Sequence, residues 1–463
     1  MQTLKIARPV KSKSGRQAAP LETRRDVRRY GIIADDLTGA TDVAAAFANC
    51  GFTAAVALAP RSLRSLDAQV VALSTHSRHD NSAGARRKVR QACARMLDSG
   101  WPVTYKKLDS TVQGNVVAEV EAARSAGGFT TALLCPANPA QGRSVRGGVL
   151  HVRDGDTVNL PERFRVQGLT EFGSIASPIS AAKVIRAIGQ RHRFILADAT
   201  SERDLACLAG VALWSKHRVL LAGSAGLAGE LAKLLKRRAP ARRNPNGRHP
   251  PARTGEQARR NTLIVTGSNN PVTERQLEKL IRKTRTAAFE LNRLTPRDAA
   301  FALASGRNVI IRVRVHRQPD RLILRQLSAL GHLFRAGLVG SLLLTGGDTA
   351  LLVCRCLRPR AIAISGEIIP GLAWGKFIGG RADGLTVCTK PGGFGGEQGI
   401  VRAVEFLANV GAGVPPEGAP AVSYGGTRTR TSRGLDTSQT HPGGRMPPST
   451  AGGTPAATLR ATA

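Results

Sequence analysis

Short apolar runs of four or five residues, each followed by a polar or glycine-bearing turn and then by a stretch of helical period, recur along most of the chain. Tyr30–Ala34, Val70–Leu73, Thr131–Cys135, Arg193–Ala197 and Val219–Ala222 are predicted strands, with helices near Thr41–Cys50, Ala83–Leu97 and Leu227–Leu235. Further on, Thr262–Thr266, Asn308–Arg312, Leu342–Thr345 and Ala361–Ser365 repeat the strand pattern, with helices over Glu274–Lys283 and Ala350–Cys356. Strands buried on both faces read as unbroken apolar runs, so strand, turn and helix in alternation predict parallel α/β units. The expected architecture is two α/β domains with mainly parallel sheets, residues 29–235 and 262–410, and a ligand cleft between them.

Three stretches break the pattern. Residues 1–28 read as a basic leader, 236–261 (KRRAPARRNPNGRHPPARTGEQARRN) as a basic Pro/Arg-rich linker, and 411–463 as a Gly/Pro/Ser/Thr tail. All three have too few apolar side chains to offset their ordering entropy, so leader and tail are expected to be disordered.

Charge changes the picture less than its size suggests. Across 463 residues, 68 Lys and Arg face 32 Asp and Glu, a net +36 that at face value advertises a polyanionic partner. About half of that excess lies in the leader, linker and tail. With only 4% aromatics, and none among the linker's arginines, a stacking platform for nucleic acid is not expected. The seven cysteines include no Cys-x-x-Cys pair and the nine histidines no His-Glu-x-x-His, so no metal site is assigned. No run approaches the roughly 20 apolar residues of a bilayer span, and the N-terminus lacks an apolar export segment. A cytoplasmic protein is expected.

Ligands of open α/β sheets collect at the carboxyl ends of strands, where helix N-termini offer amide donors. Four turns in the first block stand out there. The stretch Gly31–Ala40 delivers adjacent carboxylates, Asp35 and Asp36, able to accept a hydroxyl proton or hold a cation; the plainer alternative is that one of them caps the next helix. Ser74–Arg78 offers the Arg78 fork for a carboxylate or phosphate. Lys106–Asn115 packs Lys106, Lys107, Asp109, Ser110 and Gln113 into one turn, and Pro136–Gly148 adds Gly142 and Arg143. Together they point to a small polyhydroxy or anionic substrate. In the second block, Thr266–Gln276, Thr345–Ala350, Ser365–Gly371 and Lys390–Gly396 are glycine-rich turns that let backbone approach phosphates. Gly371–Phe377 is one residue short of a Walker A, and Gly223–Gly229 has the wrong glycine spacing for a dinucleotide fingerprint.

In order along the chain, IADDLTGATD, STHSR, KKLDSTVQGN, PANPAQGR, AGSAGLA, VTGSNNPVTERQ, TGGDTA, SGEIIPG and KPGGFG resemble the motifs of the four-carbon acid sugar kinase family, from about residue 30 to 400. The resemblance implies an acid-sugar-binding N-terminal domain, an ATP-binding C-terminal domain, Mg2+, and transfer of a phosphoryl group to threonate, erythronate or 3-oxo-tetronate. It implies that Asp35 and Asp36 orient or deprotonate the attacking hydroxyl, while Arg78, Lys106, Asp109, Ser110 and Arg143 grip the acid. Around the nucleotide it implies Ser268, Gly346, Gly347, Asp348, Thr349, Gly366, Glu367, Lys390, Gly392 and Gly393. A homodimer is compatible with it. This chain departs from the family at Gln113, where an Arg is expected, and lacks an acid after Thr170-Glu171-Phe172. The competing expectation is a catalytically degenerate member of the fold that serves as a basic binding or regulatory protein.

Overall fold

The computed structural model describes residues 29–152, 155–238, 260–313 and 320–411. The predicted leader, nearly all of the linker and nearly all of the tail lie outside them.

The first block comprises β1 (Tyr30–Ala34), α1 (Leu37–Asn49), β2 (Ala54–Ala57), β3 (Val70–Ser74), α2 (Ser82–Asp98), β4 (Val103–Lys107), α3 (Val116–Ala126), β5 (Thr131–Cys135), β6 (Ser144–Arg146), β7 (Val149–His151), β8 (Thr157–Asn159), α4 (Leu160–Val166), β9 (Gly173–Ile175), α5 (Ala181–Gly189), β10 (Phe194–Ala197), α6 (Glu202–Trp214), β11 (Val219–Gly223) and α7 (Ala225–Arg238). The second comprises β12 (Thr262–Thr266), α8 (Pro271–Lys283), β13 (Thr286–Glu290), α9 (Pro296–Ala304), β14 (Asn308–Arg312), α10 (Asp320–Ala329), α11 (Gly331–Arg335), β15 (Ser341–Thr345), α12 (Gly347–Leu357), β16 (Ala361–Glu367), β17 (Ala373–Ile378), β18 (Thr386–Lys390) and α13 (Gly399–Gly411).

The mainly parallel α/β reading is met, with one addition. The sheets of the two blocks join edge to edge into a single 15-stranded sheet, β13-β14-β12-β15-β18-β17-β16-β2-β3-β1-β4-β11-β5-β10-β9, beside a small antiparallel sheet β6-β7-β8. The seam is the antiparallel pair β2·β16, with Ala54 opposite Ile364 and Ala57 opposite Ala361. Helix α1 lies across it, packed on β2, β3, β16, β17 and α12. Its Leu37, Ala40, Val43, Ala44, Ala45 and Phe47 are fully buried, as expected of a helix enclosed on nearly every side, and its alanines let it lie close to the Ala-rich seam.

Three successive antiparallel steps, β2·β16, β16·β17 and β17·β18, reverse the ladder, so the parallel strands of the two blocks run in opposite senses along it. A flat sheet would place their carboxyl ends on opposite edges. A twist of roughly 20–25° per strand accumulates over the steps from β1 to β15 to a turn on the order of 120–150°. The turns after β1 and β15 nonetheless lie against each other: a Cβ added at Gly347 would lie 2.5 Å from Asp36 Oδ2.

The sequence-predicted linker is trimmed at both ends. Lys236 is the last turn of α7, its Nζ donating to Gly51 O at 2.8 Å. Asn261 belongs to the core: Nδ2 donates to Leu303 O (2.8 Å) and Leu338 O (3.0 Å), and Oδ1 accepts from the Gly340 amide (2.8 Å). Asn261→Ala removes all three bonds; Leu303 O keeps the Gly306 amide (3.0 Å) but Leu338 O and the Gly340 amide lose this partner, and unfolding stability should fall by about 1–3 kcal/mol in a denaturant titration.

Candidate functional site

Asp36 is the N-cap of α1: Oδ1 accepts from the Gly39 amide at 2.7 Å and Oδ2 from Thr38 Oγ at 2.7 Å. The bland reading of one of the paired carboxylates is thus correct for Asp36, and capping starts α1 at Leu37 rather than near Thr41. Capping does not exhaust it, because Oδ2 also lies close to Gly347 of the second block. Asp35 is almost fully buried, and its Oδ1 has no hydrogen-bond partner among the described residues.

Arg78 clamps the acids together. Its Nε is 2.7 Å from Asp35 Oδ2, and its Nη2 is 3.1 Å from Asp36 Oδ1 and 3.4 Å from Asp109 Oδ2. Asp109 is held in turn by Thr111, whose amide and hydroxyl donate to Oδ1, and by the Gln113 amide at 3.3 Å. Burial pushes both Asp35 and Asp36 upward. At Asp35 the pull of Arg78, Lys106 and Lys107 outweighs burial and holds the carboxyl below its ordinary range. At Asp36 burial prevails over Arg78, with the charge of Asp35 adding to it, and the carboxyl lies above its ordinary range. Two adjacent acids are therefore split into one that ionises readily and one that holds a proton more tightly, a division that suits proton transfer.

Lys106 is fully buried. Its Nζ donates to Glu119 Oε2 (2.8 Å) and Lys107 O (2.7 Å), which places it behind the turn rather than on its open side. Ser110 is buried beside Asp109. The Arg143 guanidinium donates to Gln141 Oε1 at 2.8 Å and lies 4.6 Å from the centroid of Phe394, so the first block's Pro136–Gly148 loop touches the second block's Lys390–Gly396 loop. Thr41 Oγ and Thr389 Oγ, 2.7 Å apart, and His79 Nε2 and Asp348 Oδ2, 3.4 Å apart, also join the two blocks here.

On the second block, Gly346 precedes α12 with φ 92°, a left-handed conformation that favours glycine, and no side chain caps the helix. Its first-turn amides are therefore open to an anion. Thr349 is buried in that turn, and Asp348 is nearly half-exposed at its mouth. Ser268 and the Gly392-Gly393 loop approach closely: a Cβ at Gly392 would sit 2.6 Å from Ser268 Oγ. Lys390 is fully buried, its Nζ donating to Gly392 O (2.8 Å), Pro391 O (3.1 Å) and Thr273 Oγ (3.2 Å), so it shapes the loop from inside. Gly366 and Glu367 do not join the Gly346–Thr349 turn. Glu367 meets Asn49 at the far end of α1, on the order of 18 Å along the helix from Asp36.

This set fits a nucleoside triphosphate. Uncapped helix amides, a glycine loop and an oxygen ligand at Asp348 are the donors that phosphates and Mg2+ take, the metal needing only one or two carboxylates beside phosphate oxygens. Among the described residues no group of three or more His, Cys, Asp or Glu side chains is arranged to hold a metal.

Residues 30–165 match the family model of a sugar-binding N-terminal domain, and residues 263–400 that of a nucleotide-binding C-terminal domain. The D-threonate kinase of Bordetella bronchiseptica is 31% identical over 416 residues, 81% of this chain and 97% of that protein. The chain belongs to the four-carbon acid sugar kinase family. Two further members are the D-threonate kinase of Salmonella typhimurium (27% identical, 82% of this chain and 99% of that one) and the 3-oxo-tetronate kinase of Pseudomonas fluorescens (28%, 82% and 97%). A solved Haemophilus influenzae protein of the DUF1537 family shares the fold at TM-score 0.60 and 21% identity, covering 81% of this chain and all of that one. Glu119 and His79 lie outside the family motifs, whereas Asp42 and Phe394 lie inside IADDLTGATD and KPGGFG; Glu119 still shows in the sequence as a lone acid in the apolar run Val116–Val120.

Two groups, Glu367 half-buried and Lys390 fully buried, make stability depend on pH in opposite ways. Burial, reinforced by Asp42, lifts Glu367 from 4.5 to about 7, so its contribution is present below about 4.5 and lost as pH rises to 7. Burial lowers Lys390 from 10.5 to about 7, so the unfolded chain binds the extra proton between those values and stability rises with pH across that window. Denaturant midpoints should therefore dip near pH 7. Glu367→Gln should flatten the acid side of the dip and Lys390→Met the alkaline side.

Proposed function

We propose that this protein is an ATP-dependent kinase that phosphorylates a hydroxyl, terminal by preference, of a four-carbon sugar acid such as threonate, erythronate or 3-oxo-tetronate. The observation that carries the reading is the meeting of Asp36 Oδ2 with the Gly347 turn, which sets a proton acceptor beside an anion cradle. The substrate oxygen attacks the γ-phosphorus; the new O–P bond forms as the bond to the β-phosphate oxygen breaks, ADP leaves, and the hydroxyl proton passes to Asp36. The amides of Gly347, Asp348 and Thr349, with Ser268, Gly392 and Gly393, would bind the phosphates, and Asp348 would hold Mg2+. Bound Mg2+ supplies charge neutralisation on the phosphates. Asp35 would stay ionised and orient the hydroxyl, Ser110 and Arg143 would face the acid, and Arg78 and Asp109 would hold the two aspartates in place.

The degenerate-fold alternative gains no support from Gln113. Its side chain is exposed, and only its amide reaches Asp109. A coupled assay of ADP release over a panel of tetronates and their 3-oxo forms tests the proposal. ADP release on at least one, dependent on Mg2+, is expected; folded protein that turns over none overturns it.

A further inference from the structure

Behind the Asp35–Asp36 turn runs a buried polar chain. Lys106 on β4 pairs through Nζ with Glu119 Oε2 at 2.8 Å, and the other oxygen, Oε1, accepts from Ser77 Oγ at 2.8 Å. Ser77 Oγ is 2.6 Å from Thr75 Oγ, and the Ser77 and Thr75 amides donate to Asp35 O (3.0 Å) and Ala34 O (2.9 Å). Lys106, Ser77 and Glu119 are 0%, 0% and 2% exposed. Arg78, which clamps the two aspartates, is the next residue after Ser77. Asn115 secures the same turn from the other side, its Nδ2 donating to Ser77 O (3.2 Å) and Asp80 O (2.8 Å).

An ion pair this deep is a poor way to gain stability. The cost of desolvating two charges offsets their attraction, and well-packed apolar replacements are often neutral or better. The neighbours of Glu119 along α3, Val116, Val117 and Val120, are all buried, and a Leu at 119 would place an apolar side chain of similar size there without a charge. We infer that Lys106–Glu119 is a positioning pair: through Ser77 it holds Arg78, and hence the Asp35–Asp36 turn, in the geometry the reaction needs. The inference rests on the kinase reading. It moves Lys106 from gripping the acid to supporting the residues that do the chemistry, and it gives Glu119 a role.

The test is Lys106→Met/Glu119→Leu, which removes both charges and leaves none buried alone. Three quantities are read: melting temperature, KM for ATP, and kcat on the best tetronate. The expected result is a melting temperature equal to or above wild type, KM for ATP within twofold, and kcat down about tenfold to hundredfold, the scale of a small misplacement of reacting groups. Ser77→Ala, a lighter change, should give a smaller fall in kcat with the same KM. A kcat within twofold of wild type, or one that falls only in step with the melting temperature, overturns the inference. A crystal structure of the double variant reads position without turnover: Arg78 displaced from Asp35 and Asp36 supports it, and an unmoved clamp contradicts it. Wild-type protein inactive on every tetronate would sink the kinase reading instead, leaving that structural comparison to decide the positioning claim.

Discussion

Asp36→Asn should lower kcat by about 10²- to 10⁴-fold, the range a positioned general base contributes, while ATP affinity stays near wild type. The variant separates the two tasks of this side chain. An Asn Oδ1 still accepts from the Gly39 amide, so the cap of α1 and the fold are retained. What it cannot do is take up a proton. The buried carboxyl, lifted above its ordinary range mainly by desolvation, is suited to that step, and it faces Gly347 rather than open water. Steady-state kinetics together with nucleotide titration of the folded variant check this; kcat near wild type would remove Asp36 from the mechanism.

Arg78→Met should cost about 3–5 kcal/mol of unfolding free energy, the scale for removing one partner of a buried ion pair. The Asp35, Asp36 and Asp109 side chains are 4%, 11% and 18% exposed, and all three lean on this one guanidinium. The sign with pH follows from Asp35. In the wild type, burial raises its carboxyl but Arg78, Lys106 and Lys107 bring it below 3.8, so its contribution is present above that value and lost only in acid. Without Arg78 burial is opposed less, the folded-state value rises, and the variant should recover part of the deficit as pH falls. Denaturant midpoints at pH 8 and pH 5.5 measure this. A variant as stable as wild type at both would mean the clamp is dispensable.

Most of the parallel strands were legible because an apolar run of about five residues registers directly as a strand: β5, β12 and β14 coincide with the sequence-predicted bounds. Several helix starts were not. α1, α8 and α12 begin three or four residues before the apolar period does, because their first turns are built from capping and turn residues, Asp36, Asn270 and Gly346, that carry no hydrophobic signal. Nor could one-dimensional periodicity show that β2 and β16 join the two sheets, since that seam is a pairing of Ala-rich strands about 300 residues apart. At the site, the residue types were readable and their partners were not. Paired carboxylates at a strand end announced Asp35 and Asp36. That Arg78 turns toward those acids, and that Lys106 is taken up by Glu119, depends on contacts across α3, β3 and β4.

The central claim is that the phosphate to be transferred lies between Asp36 and the N-terminus of α12. A crystal structure with a non-hydrolysable ATP analogue and a tetronate locates it directly. The terminal phosphate is predicted to accept from the amides of the Gly347–Thr349 turn, with a substrate hydroxyl within hydrogen-bond reach of the Asp36 carboxylate. A terminal phosphate bound away from α12, or a tetronate with no hydroxyl near Asp36, would contradict the account.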